Sequence, residues 1–332
     1  MTAPIETTGS AAQAQPEAVL EGAGGKQIEG RSLGRIAWTR FKRDKVALTG
    51  AVIVLLLILV AVLSKPIQAV FGLDPNAFNQ DLVDPQLLAP KGSFGGISWD
   101  HPLGVEPQTG RDILARIIEG SWVSLVVAAG STMLSVVIGV VMGVVAGFYG
   151  GWVDSAISRM MDTFLAFPLL LFAISISASL QGSAFGLSGL SLRIAVLIFV
   201  IGFFSWPYIG RIVRAQTLSL REREFVEAAR SLGARGPFIL FRELLPNLIA
   251  PILVYATLLI PTNILFEASL SFLGVGIAPP QASWGGMLST AVDLYEVDPM
   301  FMIIPGMAIF ITVLAFNLLG DGLRDALDPR GK

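Results

Sequence analysis

The sequence predicts an all-α polytopic membrane protein with six transmembrane helices and both termini in the cytoplasm. Three observations carry that expectation. Hydrophobic residues fill 53% of the 332 positions and charged residues only 14%, against about 25% charged in an ordinary soluble domain. Six apolar stretches come close to, or exceed, the ~20 residues that a helix needs to cross a hydrocarbon core of about 30 Å. The basic residues are also segregated: with the N-terminus inside, 18 of the 23 lysines and arginines fall on cytoplasmic segments, which is the bias the positive-inside rule describes.

Composition also excludes chemistry. There is no cysteine, so disulfides, iron–sulfur clusters, thiolate nucleophiles and cysteine-rich zinc sites are ruled out. One histidine, His101, lies in a stretch with Trp99, Asp100 and Pro102. Alone it cannot build a metal site, and it reads as a turn residue or part of an outer binding surface. GSAFG is not the G-x-S-x-G of a serine hydrolase. Neither a metal nor a nucleic-acid partner is expected.

Residues 1–30 are rich in Ala, Gly, Thr, Gln and Pro, with neither a basic nor an apolar region of a signal peptide. They are read as a disordered cytoplasmic tail. Residues 31–65 hold a basic segment and the first span, Val46–Leu63, acting as an uncleaved anchor. Residues 66–120 form an extracytoplasmic loop, mostly irregular because Pro, Gly and Asp recur in GLDPNAFNQDLVDPQ and SFGGISWDHPLG, and closed by a short amphipathic helix over GRDILARIIEG. Residues 121–320 supply five more spans, roughly Trp122–Phe148, Ala156–Leu180, Leu192–Ile212, Leu248–Phe272 and Phe301–Leu319. An outer capping or re-entrant segment runs from GVGIAPPQASWGGM to about Pro299, where paired Pro and Gly bar a continuous helix. Residues 321–332 are the cytoplasmic C-terminus.

The cytoplasmic loop at 213–246 is the most informative stretch. Seven of the 23 basic residues fall between Arg211 and Arg242. Ser219–Glu222 fits a capping box, which predicts a helix from there to about Leu232 with Phe225, Ala228, Ala229 and Leu232 on one apolar stripe. Gly233 can end that helix in a left-handed conformation. Pro237 can open a second helix, where its missing N–H is no loss, and Pro246 marks the join to the next span. The residues alone leave two readings open, an amphipathic hairpin lying on the bilayer or an element that docks a partner.

EAARSLG, nine further residues and ELLP resemble the EAA loop of bacterial ABC importer permeases, E-A-A-x-x-x-G-x9-I-x-L-P. Glu227, Ala228, Ala229, Gly233, Leu245 and Pro246 match, while Glu243 stands at the Ile position. HPLGVEPQTGRDILARIIEGSWVSL, SRMMDTFLAFPLLLFAI, EASLSFLGVGIAPPQASWGGML and LLGDGLRDALDPR extend the resemblance over most of residues 30–330. Together they are similar to the C-type subunit of dipeptide/oligopeptide permeases. That resemblance implies a type I ABC importer permease fold in a bacterial inner membrane. It also implies a second homologous permease subunit as heterodimer partner, two cytoplasmic ATP-binding subunits, an extracytoplasmic substrate-binding protein and a peptide substrate. The loop would be the coupling helix, with Arg223, Phe225 and Arg230 as flanking contacts. ATP and Mg²⁺ would sit on the partners, because this chain lacks G-x-x-x-x-G-K-[ST]. The same class also serves nickel chelates, glutathione, opines and oligosaccharides. A stand-alone secondary transporter would need inverted repeats or several midplane charges, and neither is evident.

Other residues have two readings each. Gly139, Gly143 and Gly147 share one helix face, which lets helices approach closely in lipid, either within this chain or against a second subunit. Glu267 and Asn263, near the kink expected at Pro261, are candidates for the translocation path or outer gate; the other reading of Glu267 is a carboxylate at the outer interface, hydrogen-bonded to a loop or to the partner subunit. Asp162 is expected to pair locally with Arg159. Pro207 and Pro305 are expected kinks whose freed carbonyls find neighbours.

Overall fold

A computed structural model describes residues 33–179, 182–184 and 186–327. The expected disordered tail over 1–30, and the basic residues Arg330 and Lys332, lie outside the described residues.

The chain begins with α1 (Leu33–Phe41) and α2 (Lys45–Val62). Asp44 starts α2 by accepting the amides of Val46 and Ala47, at 2.9 and 3.1 Å, as an N-cap carboxylate does. The next segment opens with a helix, α3 (Ser64–Phe71), most of which lies where the sequence predicts irregular loop. Beyond Gly72 there is little regular structure, only a 3₁₀ turn (Gln80–Leu82) and two isolated bridges, Val83–Pro90 and Val105–Asp112.

This irregular segment is held by a charged knot. Buried Glu106 accepts Arg111 Nε at 2.7 Å and the Thr109 hydroxyl at 2.9 Å on one oxygen, and faces Arg116 Nε at 2.5 Å on the other. Arg116 also donates to the carbonyls of Pro75 and Pro280, both at 3.2 Å, which ties this segment to the loop at Pro280. His101 Nδ1 lies 2.6 Å from Asp112 Oδ2, whose other oxygen accepts the Ala115 amide and caps the next helix. His101 is thus a loop residue on a capping aspartate, as a lone histidine should be.

The short amphipathic helix expected over GRDILARIIEG is not a separate element. It is the first two turns of α4 (Ile113–Tyr149), an unbroken helix of 37 residues and about 55 Å. No Gly-Pro signal separates the two parts, so the surface helix and the span fuse. At the other end Gly150, with φ +68°, stops α4.

The third expected span is also different. Ala156–Leu180 is broken into α5 (Gly151–Ala166) and α6 (Leu169–Ser179), bent by 76°. The cause is Phe167-Pro168: the residue before proline is pushed out of the helical region, and Phe167 sits at φ −80°, ψ 132°. A two-residue hairpin, β1 (Ser183–Ala184) with β2 (Leu187–Ser188), leads into α7 (Gly189–Leu220). On the basic face follow α8 (Glu224–Ser231) and α9 (Gly236–Phe238), then a π turn (Ile239–Leu244) and α10 (Leu245–Phe272). On the face opposite α8, α11 (Trp284–Val292) starts at Ser283, which caps it, and buries Trp284 with its indole N–H on the Ile117 carbonyl. The expected capping segment is therefore a short helix seated on α4. The chain closes with α12 (Pro299–Leu327). Among the described residues five helices are long and apolar enough to cross a bilayer, and six spans result if the bent pair is one. Pro207 and Pro305 are both buried inside continuous helices.

The core is the contact of α4 with α7. A Cβ on Gly139 would strike Ile209 and the Trp206 carbonyl; on Gly143, the Gly210 carbonyl and Val213; on Gly147, Thr217 and the Arg214 carbonyl. The glycine face is therefore spent inside this chain. Polar bonds continue the seam, with Ser135 Oγ on the Gly202 carbonyl at 2.8 Å. Two ion pairs fasten α5 to α7: Asp154 takes the Arg214 guanidinium on both oxygens, and Asp162 meets Arg211 at 2.5 Å. Asp162 thus pairs across helices rather than with Arg159, because α7 brings a guanidinium nearer than the same-helix neighbour does.

Two substitutions test this account. Gly143→Leu should lower stability by about 2 kcal/mol or prevent assembly, since overpacking a tight seam typically costs 1–3 kcal/mol; thermal unfolding in detergent reads it. Glu106→Gln should cost about 3 kcal/mol, because it leaves Arg116 buried without its counter-charge. Hydrogen exchange would then rise at residues 104–116 and stay unchanged around α8.

Candidate functional site

The loop helix α8 projects from the basic face, carried by long supports. α7 spans 32 residues and Gly236–Phe272 spans 37, so each rod exceeds the ~20 residues that lipid requires and holds the loop clear of it. Arg221 locks the exit of α7 by donating to the Gly147 carbonyl at 3.0 Å, near the end of α4.

The expected capping box does not form. Ser219 lies within the last turn of α7, and α8 begins five residues later with Arg223 at the N-cap position, without a side-chain bond. α7 continues through Leu220, with the Arg221 amide on the Thr217 carbonyl, so Ser219 is helix interior rather than N-cap, and the Glu222 carboxylate takes Arg221 Nε instead. Sequence reasoning also missed the anchor of the helix. Val226 is fully buried and packs with Ile239 and Leu244 against Phe148, Leu220, Ala229 and Ala234. A single valine among charges gives no periodic signal, and its partner Leu244 occupies the position the motif leaves open.

The other end is well defined. Gly233 takes φ +81°; its amide donates to Arg230 O at 2.9 Å and that of Ala234 to Ala229 O at 3.0 Å. That pair of bonds is a Schellman motif, with glycine at the left-handed position.

What remains outside is the candidate surface. Phe225, Glu227, Ala228, Arg230 and Gly233 are exposed, as are Arg223 and Pro246. Leu232 is 89% exposed. Ala229 and Leu245 are half-buried against the loop's own core. An apolar ledge of Phe225, Ala228 and Leu232 beside Glu227 and Arg230 has no covering element within the described chain. Large exposed apolar groups rimmed by charge mark interaction sites.

No join separates the second loop helix from the membrane span at Pro246. The helix runs on through the π turn, where the Leu245 amide reaches back to Leu240 O instead of one residue nearer. A proline ring clashes with the carbonyl four residues earlier, here Arg242; the π turn lies just ahead of Pro246, and Asn247 Nδ2 takes the Glu243 carbonyl at 2.6 Å. Glu243, at the position where the loop motif has Ile, is half-buried within that turn.

Glu267 and Asn263 form a separate cluster between α4 and α10. Both are fully buried. Glu267 accepts the hydroxyls of Ser124 and Ser271, each at 2.8 Å, and Asn263 Nδ2 donates to Thr132 Oγ1 at 2.8 Å. In this arrangement the two residues staple helices together and line no open path. The alternation of small and polar residues in α4 is the signal that places their partners.

These features define a class: a helical membrane protein with a helix hairpin presented outside the apolar spans. Residues 139–332 match the family described as the inner membrane component of binding-protein-dependent transport systems, and residues 32–90 match the N-terminal transmembrane domain of oligopeptide transport permease C. The chain belongs to this family of ABC importer permeases of the bacterial inner membrane. It is 42% identical over 295 residues to the glutathione transport system permease protein GsiD of Escherichia coli O6:K15:H31, covering 89% of this chain and 90% of that protein. Against GsiD of Shigella flexneri serotype 5b the identity is 44% over the same shares. Among solved structures, an inward-facing form of the MetNI methionine ABC transporter aligns with TM-score 0.52 and 22% identity, over 65% of this chain and 98% of that one. The fold is that of type I ABC importer permeases.

Val226→Asp should release α8 from its seat, since it buries an unpaired charge. Trypsin would then cut at Arg223 and Arg230 about tenfold faster or more, with the membrane helices intact. Gly233→Ala should be milder, costing about 1–2 kcal/mol for a Cβ in a left-handed conformation, readable as faster amide exchange at Gly233 and Ala234.

Proposed function

We propose that this chain forms one half of a peptide-translocating pathway and couples it, through α8, to ATP hydrolysis by two cytoplasmic subunits. The observation that carries the reading is the exposed ledge of Phe225, Ala228 and Leu232 around Glu227, held rigidly by Val226 and Gly233. A short amphipathic helix of this kind suits insertion into a groove on a soluble partner. The segregation of basic residues supports a cytoplasmic position for α8 and for both termini. It likewise supports the division into a tail (1–30), an outer loop (66–120) and a permease core (121–320). ATP and Mg²⁺ bind on the partners in this reading, and this chain performs no catalysis.

The remaining partners are a second, homologous permease subunit and a substrate-binding protein on the outer face. Because ATP-bound and ATP-free partners would hold α8 differently, their differential contacts bias the helix bundle between two states. Di- or oligopeptides are the proposed cargo. Glutathione, itself a tripeptide, is the first compound to try, because the relatives at 42–44% identity are glutathione permeases by name.

The test is ATPase activity of the complete importer in lipid, with and without binding protein and substrate. Glu227→Lys and Gly233→Asp should abolish stimulation, cutting it by tenfold or more, while the two permease subunits still co-purify. Normal stimulation in both variants would reduce α8 to a surface helix. Stimulation by glutathione but not by a dipeptide series would narrow the cargo, and stimulation by neither would remove the peptide assignment while leaving the coupling intact.

A further inference from the structure

On the outer face, a cavity of about 380 Å³ opens between the loop at Pro90–Gly95 and the start of α12, lined by Phe94, Val297, Asp298, Met300 and Ile303 among others. Asp298 is only 4% exposed. One oxygen is committed: Oδ1 accepts the Met300 amide at 3.0 Å and so caps α12. The other, Oδ2, is buried without a hydrogen-bond partner. Among the described residues no ion pair reaches it. Lys91, the lysine closest in sequence to the cavity wall, turns its ammonium to the Asp81 carbonyl at 2.8 Å. Burial pushes the Asp298 carboxyl above its ordinary range, against the lowering effect of the Met300 and Phe301 amides. A buried carboxylate oxygen left unsatisfied costs free energy that a charged donor would recover.

The rim is shaped for such a donor. Phe94 is 69% exposed and held at φ +54°, a left-handed conformation that a bulky residue adopts only at a cost. With Val297, Met300 and Ile303 it lines the cavity beside Asp298, whose Oδ2 lies where a Cβ on Gly95 would meet it. Hydrocarbon walls with an anion at the base suit a lysine or arginine, whose stem packs on apolar surface while its head finds the charge; the Phe94 ring adds a cation–π face. The surroundings agree in sign: segments 65–120 and 273–298 carry ten Asp and Glu against four Lys and Arg.

We propose that this cavity receives a lysine or arginine side chain from the substrate-binding protein, making Asp298 the anchor of that protein on the permease. The inference rests on the proposed function for the existence and side of the binding protein. An acidic outer surface then speeds and orients the encounter, and the buried pair slows release.

The experiment uses the full importer in lipid nanodiscs, titrated with the purified substrate-binding subunit of the same system at low and high salt. Asp298→Asn retains a side-chain oxygen for the α12 cap and removes the charge; it should weaken binding about tenfold and flatten the salt dependence. Val297→Lys leaves Asp298 in place and supplies a cation from within the chain, so it should weaken binding comparably even if the first variant is unstable. Leu87→Lys, exposed and outside the cavity, should change binding less than twofold. Wild-type binding that neither cavity variant alters would overturn the anchor and leave the importer reading standing. No binding to the wild type would remove the binding protein and the anchor together. A dependence on phosphatidylethanolamine that Asp298→Asn abolishes, with binding-protein affinity unchanged, would assign the cavity to a lipid amine and also overturn the proposal.

Discussion

Close approach of two backbones, α4 and α7, is the constraint on which the rest of this molecule depends. In lipid there is no hydrophobic gain from pressing apolar helices together, so association rests on packing and on interhelical hydrogen bonds. Gly139, Gly143 and Gly147 supply the first; Ser135 with the Gly202 carbonyl supplies the second. Once that seam is made, α5 is fastened onto α7 by two ion pairs. α10 is stapled to α4 through Glu267, Ser124, Asn263 and Thr132, and the loop helix finds Phe148 and Leu220 waiting as its floor.

The polar groups divide along the membrane normal according to what each environment demands. At the edge away from α8, Glu106 gathers two arginines in a buried knot and orders a loop with almost no regular structure. Within the bundle, hydroxyls and amides predominate, since full charges there are expensive, and the buried Glu267 carboxyl is met by the Ser124 and Ser271 hydroxyls. On the basic face, arginines serve as struts to carbonyls and carboxylates, and α8 keeps its own charges free beside an apolar ledge. Rigidity is placed in the supports, and the uncovered surface is left at the tip.

Much of this was legible in the sequence, for identifiable reasons. Spans declare themselves by length and apolarity, and Gly233 and Pro237 mark the bend of the hairpin by their backbone chemistry. The boundaries were harder. α4 absorbed the amphipathic segment before it because nothing between Ile113 and Trp122 breaks a helix. The third span bent because Phe167-Pro168 outweighs a hydrophobic run that otherwise reads as continuous. Ser219 satisfied a capping pattern while the preceding helix simply continued through it. Tertiary partners were least visible: Val226 is one apolar residue among charges, and the Arg211–Asp162 pair joins residues that no sequence period relates. The glycine triplet showed its face but not its partner.

α4 also has the character of a gauge bar. It carries the Asp112 cap at its outer end and Gly150 at the other, with the seam to α7 between them. Helical rise is fixed at about 1.5 Å per residue and rotation at about 100°. The separation of the two aqueous faces is therefore set by residue number, and the aim of the glycine face by the same count. Removing four residues from its outer half would draw the Glu106 knot about 6 Å toward the membrane and rotate it about 40° relative to the seam. Length and phase in this helix cannot be changed independently, so its 37 residues act as a single dimension of the machine.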